Sequence, residues 1–485
     1  DGAVMALSKS RRTHDLLEML VTSGMVIQEN LSAFRDNKQY TFRYSLYRDA
    51  AYKMLPRQQR IAYHTQMSNW LLQYIAGKTR YYALLADQFN ASEQYGAALY
   101  TYLEAVEDSL KREFYSDALR LIGISLAIAR EVPRDEALPV TSKLWAYQGQ
   151  ALFVLGRYDE ASAASQTSLR LLDEMPDNAL TNIQIMSEQT LGSSYSSLGN
   201  YNHAFDALTR AYNLLHHSAS GLISAVLRAF GELLMRRGRL NDSLAYHRRS
   251  LSEAQKSGDQ NLIARALAQL GTVDIERGYL ADALETFEQT QNINQQKKLP
   301  YAETQDLRYM GTIYLALLQY ERAYACFDQA LAIDTGVEQH NVLLLAYRGL
   351  AWLNTGHIEG WEQVEAAFQQ GHRDLYVMQL LHLVHMDALA LLQEYQACEA
   401  AARTFLRDVV DENELMRARG LRWLGYAQYH LQAPDALDTL LEALELEQYY
   451  GGRDVWLCHF AIAEYHDDDS QWQGYHYRQA AKMLQ

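Results

Sequence analysis

Between Ala264 and Gln296 the chain places apolar residues at a helical period, stops, and repeats the pattern. Leu267 and Leu270 lead into Gly271, and Ala283 and Phe287 follow one short turn later. Two short antiparallel helices account for this spacing. Apolar side chains three and four positions apart share one helix face. Gly271 and Ala283 are small enough to let the two helices cross closely. A single hairpin cannot bury its apolar face alone, so the pattern should recur. Gly149, Gly192, Gly231, Gly271, Gly311 and Gly349 fall into register at near-constant intervals along the chain. The same periodicity predicts second helices over residues 158–172, 201–215, 240–254, 280–292 and 320–333.

Leu-Gly followed by Ala-x3-Phe resembles the tetratricopeptide repeat (TPR), in a variant whose repeats are nearer ~40 residues than thirty-four. The resemblance implies an all-α fold, a right-handed TPR-like α-solenoid of stacked hairpins. The best copies are Gly192/Tyr195/Ala204/Ala211 and Gly311/Tyr314/Ala323/Phe327/Ala330. The expected organisation is a small α/β cap with a linker helix over residues 1–75 and divergent hairpins over 76–135. The array proper would fill 136–370, and degenerate repeats with a C-terminal cap 371–485.

The cap departs from the repeat. Thr13 to Thr22 reads as an amphipathic helix stopped by Ser23-Gly24. Met25-Val26-Ile27 and Gln39 to Tyr44 read as strands around a polar turn, Arg35-Asp36-Asn37-Lys38. Helix, strand, turn, strand is the tail of a winged helix. Next come Phe42-Arg43-Tyr44-Ser45-Leu46, Arg48-Asp49-Ala50-Ala51-Tyr52 and Arg60-Ile61-Ala62-Tyr63-His64. These resemble the segment after the ATPase core in STAND-type signalling ATPases, which join an ATPase module, a winged helix and a TPR sensor arm. The resemblance implies an ATPase upstream of Asp1. A chain starting at Asp1 in mid-pattern is expected to be a piece of a longer protein.

Charge narrows the partners. The 485 residues carry a net charge of −15, yet residues 1–75 hold 10 Lys and Arg against 6 Asp and Glu. An acidic array disfavours nucleic acid and anionic membranes. Arg35, Lys38 and Arg43 in the basic cap could touch phosphates, but the acidic array would oppose them. Cys326, Cys398 and Cys458 lack metal-site spacing and suggest a reducing, cytoplasmic setting. No apolar run approaches membrane-spanning length.

Chemical motifs are sparse. Gly77-Lys78-Thr79 ends like a phosphate loop, but Leu72 stands where that loop needs glycine, so an inter-helix turn is expected. His382 and His385 lack a third ligand at metal spacing. His466-Asp467-Asp468-Asp469 reads as a solvated loop. No catalytic triad order is recognisable, no cofactor is expected, and core packing explains most of the 34 tyrosines. In repeats of this kind helix A lines the inner groove. The predicted groove residues are Gln189, Arg228, Glu232, Arg236, Arg265, Thr272, Glu276, Arg308 and Thr312, with Ser193, Ser196, Ser197 and Gln305 beside them. Arginine forks suit carboxylates and phosphates, although these arginines could instead pair with Glu232, Glu276 and helix-B carboxylates.

The expected function is a non-catalytic sensor or regulatory arm. A protein segment, peptide or small acidic ligand would occupy the groove, and an ATPase or effector module, in cis or in trans, would respond. The alternative is a free-standing TPR scaffold that docks a peptide.

Overall fold

The structure, a computed structural model, describes residues 2–8, 12–30, 32, 37–75, 78–176, 180–215, 218–335, 337, 341–409, 412–465 and 470–483. Arg35, Asp36, Gly77 and the run His466 to Asp469 lie outside these residues. Two compact units emerge: residues 1–111 with 116–147, and residues 148–485 with 112–115.

In the first unit the helix Thr13–Thr22 is followed by β1 (Val26–Gln28) and β2 (Tyr40–Phe42). The strands are antiparallel, with Val26 opposite Phe42 and Gln28 opposite Tyr40. β1 is shifted by one residue and β2 is shorter than the sequence pattern, but Arg43 N–H to Met25 O and Glu29 N–H to Gln39 O add a rung at each end. Tyr44 leaves the ribbon because it is the extended residue that starts the helix Ser45–Met54. The helix Arg57–Tyr74 and the hairpin Tyr82–Ala91/Tyr95–Lys111 come next. Their core holds Leu71, Ile75, Leu85, Phe89, Leu99, Tyr102 and Val106.

The second unit is an α-solenoid of hairpins in which each helix A pairs with the helix B after it. The central pairs are Thr181–Ser197/Tyr201–Asn213, Ser220–Arg236/Leu240–Ser257, Gln260–Arg277/Leu280–Lys297 and Pro300–Ala316/Tyr320–Ala332. The glycine register has a direct steric cause. A Cβ on Gly192, Gly231, Gly271 or Gly311 would lie 2.7, 2.5, 2.8 or 2.5 Å from Leu208, His247, Phe287 or Phe327, the same helix-B position in every copy. Two helices B run past their expected ends, because the chain reverses only at Gly258 (φ 69°) and Lys298 (φ 56°), both left-handed.

One buried carboxylate ties consecutive repeats. Asp306, on the helix Pro300–Ala316, accepts from Thr290 Oγ1 (2.8 Å) and Asn294 Nδ2 (2.7 Å) of the preceding helix B. Burial pushes its carboxyl up to about 7, although both hydrogen bonds pull the other way. The folded state therefore holds this proton more tightly than the unfolded chain. The resulting stability is complete below the ordinary carboxylate pKa and is lost as pH rises toward 7. Asp306→Asn should flatten the fall in urea midpoint between about pH 4 and pH 7. An identical pH profile in the variant would remove Asp306 as its source.

Candidate functional site

The inner ends of two central helices A are joined to hairpins far along the chain. Arg236 donates to both oxygens of Asp374 (2.7 and 2.9 Å) and to Glu232 (3.1 Å), with its guanidinium 5.6 Å above the Tyr376 ring. Burial opposes the Arg236 charge, but Asp374 and Glu232 hold its pKa well above the ordinary value. Burial likewise works against the Asp374 carboxylate, which Arg236 nevertheless keeps below the ordinary range. Asp374 also caps its own helix by accepting from the Val377 N–H.

One repeat further, Glu276 accepts from Arg419 (2.6 Å) and from the Tyr376 hydroxyl (3.4 Å). Arg419 is 1% exposed and also faces Glu447 at 3.6 Å and Asp454 at 3.7 Å. Asn413 donates to the Arg236 carbonyl (2.8 Å), and Arg237 pairs with Glu412 (2.6 Å). Leu415 then packs among Met235, Leu240, Leu244 and Val273. Within this unit the array therefore closes on itself at the ends of Ser220–Arg236 and Gln260–Arg277.

Beyond this clasp the inner arginines are compensated less fully. Arg228 keeps a quarter of its side-chain surface, and among the described residues it pairs with Glu232 at 4.0 Å. Burial, reinforced by Arg265, depresses its pKa. Arg265 is half exposed and lies 3.6 Å from Glu113. The other Glu113 oxygen accepts from the backbone N–H groups of Tyr301 (3.0 Å) and Ala302 (3.2 Å), so it holds the N-terminus of Pro300–Ala316. Arg308 stacks 4.0 Å over Tyr309 and donates twice to Gln305 Oε1 (3.1 and 3.0 Å). Among the described residues it pairs with no carboxylate.

The predicted groove residues thus separate. Arg228, Glu232, Arg236, Arg265 and Glu276 share in charged contacts. Thr272 and Thr312 donate back to Gln269 O (2.7 Å) and Tyr309 O (2.8 Å), and Gln189 donates to Ser193 Oγ (3.2 Å) on its own helix. Asp374, Arg419, Glu113 and Tyr301 were not among the sequence candidates. No local spacing flags them, because their partners are remote in the chain. His382 and His385 sit against Phe368, and His385 bonds Glu365 at 3.1 Å. Among the described residues no group of three or more potential metal ligands converges, and no helix is long and apolar enough to cross a membrane.

Residues 222–296 match the family model described as "Tetratricopeptide repeat". No curated protein matches the sequence. Among solved structures, the chain is similar to a Rap protein complexed with Competence and Sporulation Factor at 12% identity and a TM-score of 0.45, covering 79% of this chain and 99% of that one. It is similar to the apo quorum sensor NprR from B. thuringiensis at 13% identity and a TM-score of 0.42, covering 69% and 99%. A Signal Transduction ATPase with Numerous Domains (STAND) protein with a tetratricopeptide repeat sensor, from Pyrococcus horikoshii, matches at 13% identity and a TM-score of 0.43. That match covers 99% of this chain, which spans 59% of the archaeal protein. Residues 222–296 thus match tetratricopeptide repeats, and the glycine register continues their hairpin packing on either side as an α-solenoid.

Proposed function

We propose that the chain is a non-catalytic sensor or regulatory arm that takes an acidic protein segment or ligand on its inner face. Occupancy is passed, through the winged-helix-like N-terminal region, to an ATPase or effector module outside this chain. The observation that carries this reading is the charge imbalance around Arg228. Arg228, Arg265 and Arg308 come from three successive helices A, and the nearest carboxylates, Glu232 and Glu113, already serve Arg236 and a helix N-terminus. An arginine held below its ordinary pKa by burial gains when an anion arrives, because the desolvation has already been met. In this division of labour Arg236 and Glu276 hold the array closed, while Arg228, Arg265 and Arg308 face the ligand.

The test is titration of the chain with acidic peptides and their amidated, uncharged counterparts. Binding should be confined to the acidic set and should weaken as salt rises, since charges beyond about 8–10 Å are screened. Replacing Arg228, Arg265 and Arg308 together by Gln should leave helicity intact and abolish binding. Undiminished affinity in the triple variant would assign these arginines to structure alone.

A further inference from the structure

The helix Ser45–Met54 makes its side-chain contacts with the next helix from its polar side. At about 100° per residue, Leu46, Tyr47, Ala50, Ala51 and Met54 form one stripe roughly 140° wide. Tyr52 lies on the opposite side and makes the helix's links to Arg57–Tyr74. Its hydroxyl is 2.9 Å from His64 Nε2, and Arg60 lies 5.1 Å over its ring. The apolar stripe faces away. Leu46 is 73% and Met54 84% exposed, and none of the ten helix residues is buried. Tyr47 touches Tyr44, itself exposed, edge-on at 5.4 Å. So short a helix is marginal in water on its own, and such helices normally persist by burying their apolar stripe. Here all ten residues are exposed, and Leu46 and Met54 in the stripe far more than Tyr52, at 43%, on the side that makes the contacts.

Charge selects what covers it. Lys53 edges the stripe beside Leu46, with no acidic partner among the described residues, and Arg48 flanks the other side, bonded to its neighbour Asp49 (2.9 Å). Arg43 stands at one end of the helix and Arg57, paired with Glu93 (2.6 Å), at the other, in a region with a surplus of basic residues. Two copies meeting stripe to stripe would set Lys53 and Arg48 against their equals, which is unfavourable. With Arg48 paired to Asp49 and Arg57 to Glu93, the rim falls short of the cluster of roughly four to eight basic residues that draws an anionic membrane.

We infer that this stripe is a docking surface for a protein partner presenting an apolar groove edged with Asp and Glu. The helix enters as an amphipathic helix enters such a groove, with Leu46, Tyr47 and Met54 as anchors and Lys53 and Arg48 on the rim. The inference rests on the reading that the chain acts through a module outside it, and it names the contact.

The probe is a synthetic amphipathic helical peptide with a leucine face and glutamate edges, compared with its lysine-edged counterpart by fluorescence anisotropy on the full chain. The glutamate-edged peptide should bind and the lysine-edged one should not. Leu46→Ser with Met54→Ser should weaken binding at least about tenfold. Since neither side chain is buried, the melting curve should not move. The Gln variant of Arg228, Arg265 and Arg308, which removes any share the groove takes of an acidic peptide, should still bind the glutamate-edged peptide, and adding Leu46→Ser with Met54→Ser in that background should abolish the binding, which separates the stripe from the groove. Loss in the groove variant with retention in the stripe variant would overturn the inference, as would binding of neither peptide. Stripe-dependent adsorption to phosphatidylglycerol vesicles, or stripe-dependent self-association in sedimentation, would overturn it in favour of a membrane or a second copy.

Discussion

Arg419→Ala should destabilise the repeat array by about 3–5 kcal/mol, the loss typical when one member of a buried ion network is removed. The guanidinium is 1% exposed and stands among Glu276, Glu447 and Asp454, which are also buried. Burial pushes the Glu447 carboxyl up to about 7 even with Arg419 present, whereas Glu276 and Asp454 stay below the ordinary range because Arg419 offsets their burial. Without Arg419, two carboxylates must stay charged with less compensation or take up protons at neutral pH. Either costs free energy, and a cavity is added. Thermal or urea unfolding at neutral pH reads the effect directly. A midpoint equal to that of the wild type would mean that Arg419 contributes no more than a well-packed apolar side chain would.

Gly271→Leu should cost about 3 kcal/mol, the upper part of the range for overpacking. A Cβ at this position already lies 2.8 Å from Phe287 Cε2 and 3.1 Å from Cζ, and a leucine adds three further carbons in that direction. Phe287 has nowhere to go. It is fully buried and stacks at 4.8 Å on Tyr309 of the next helix A. The strain therefore passes to the following interface, and in a solenoid both neighbours weaken. Gly123→Ala is the control, since a Cβ there meets nothing within 4 Å and alanine favours a helix. If urea unfolds Gly271→Leu and the wild type at the same concentration, the helices do not cross at this glycine.

What the sequence revealed was local. Gly271 and Phe287 belong to one hairpin and touch, so a spacing along the chain is also a spacing in the fold. The same holds for Gly311 and Phe327, and this is why the helices could be read from periodicity alone. The clasp was not legible, because Arg236 and Asp374 are 138 residues apart, and Glu276 and Arg419 143. Nothing within a repeat tells a carboxylate that will face solvent from one that will meet the array's own later turns. The inner arginines were found through their inward positions in the repeat, but Arg228 and Arg236 both lie on one helix A. The difference between them arises from Asp374. The amphipathic stripe of Ser45–Met54 could be read from residue spacing. Which side would make the contacts could not, because they come from Tyr52, outside the stripe, through His64 and Arg60.

The Arg236–Asp374 contact also changes how the molecule would respond to force. Hairpins bonded to immediate neighbours alone, pulled from the two ends, would peel off one after another, each releasing its own length. A staple between positions 236 and 374 carries the tension past everything between them. Those hairpins would feel no load until the staple failed, and the 138 residues then set free would release roughly 450–500 Å of extended chain in one event.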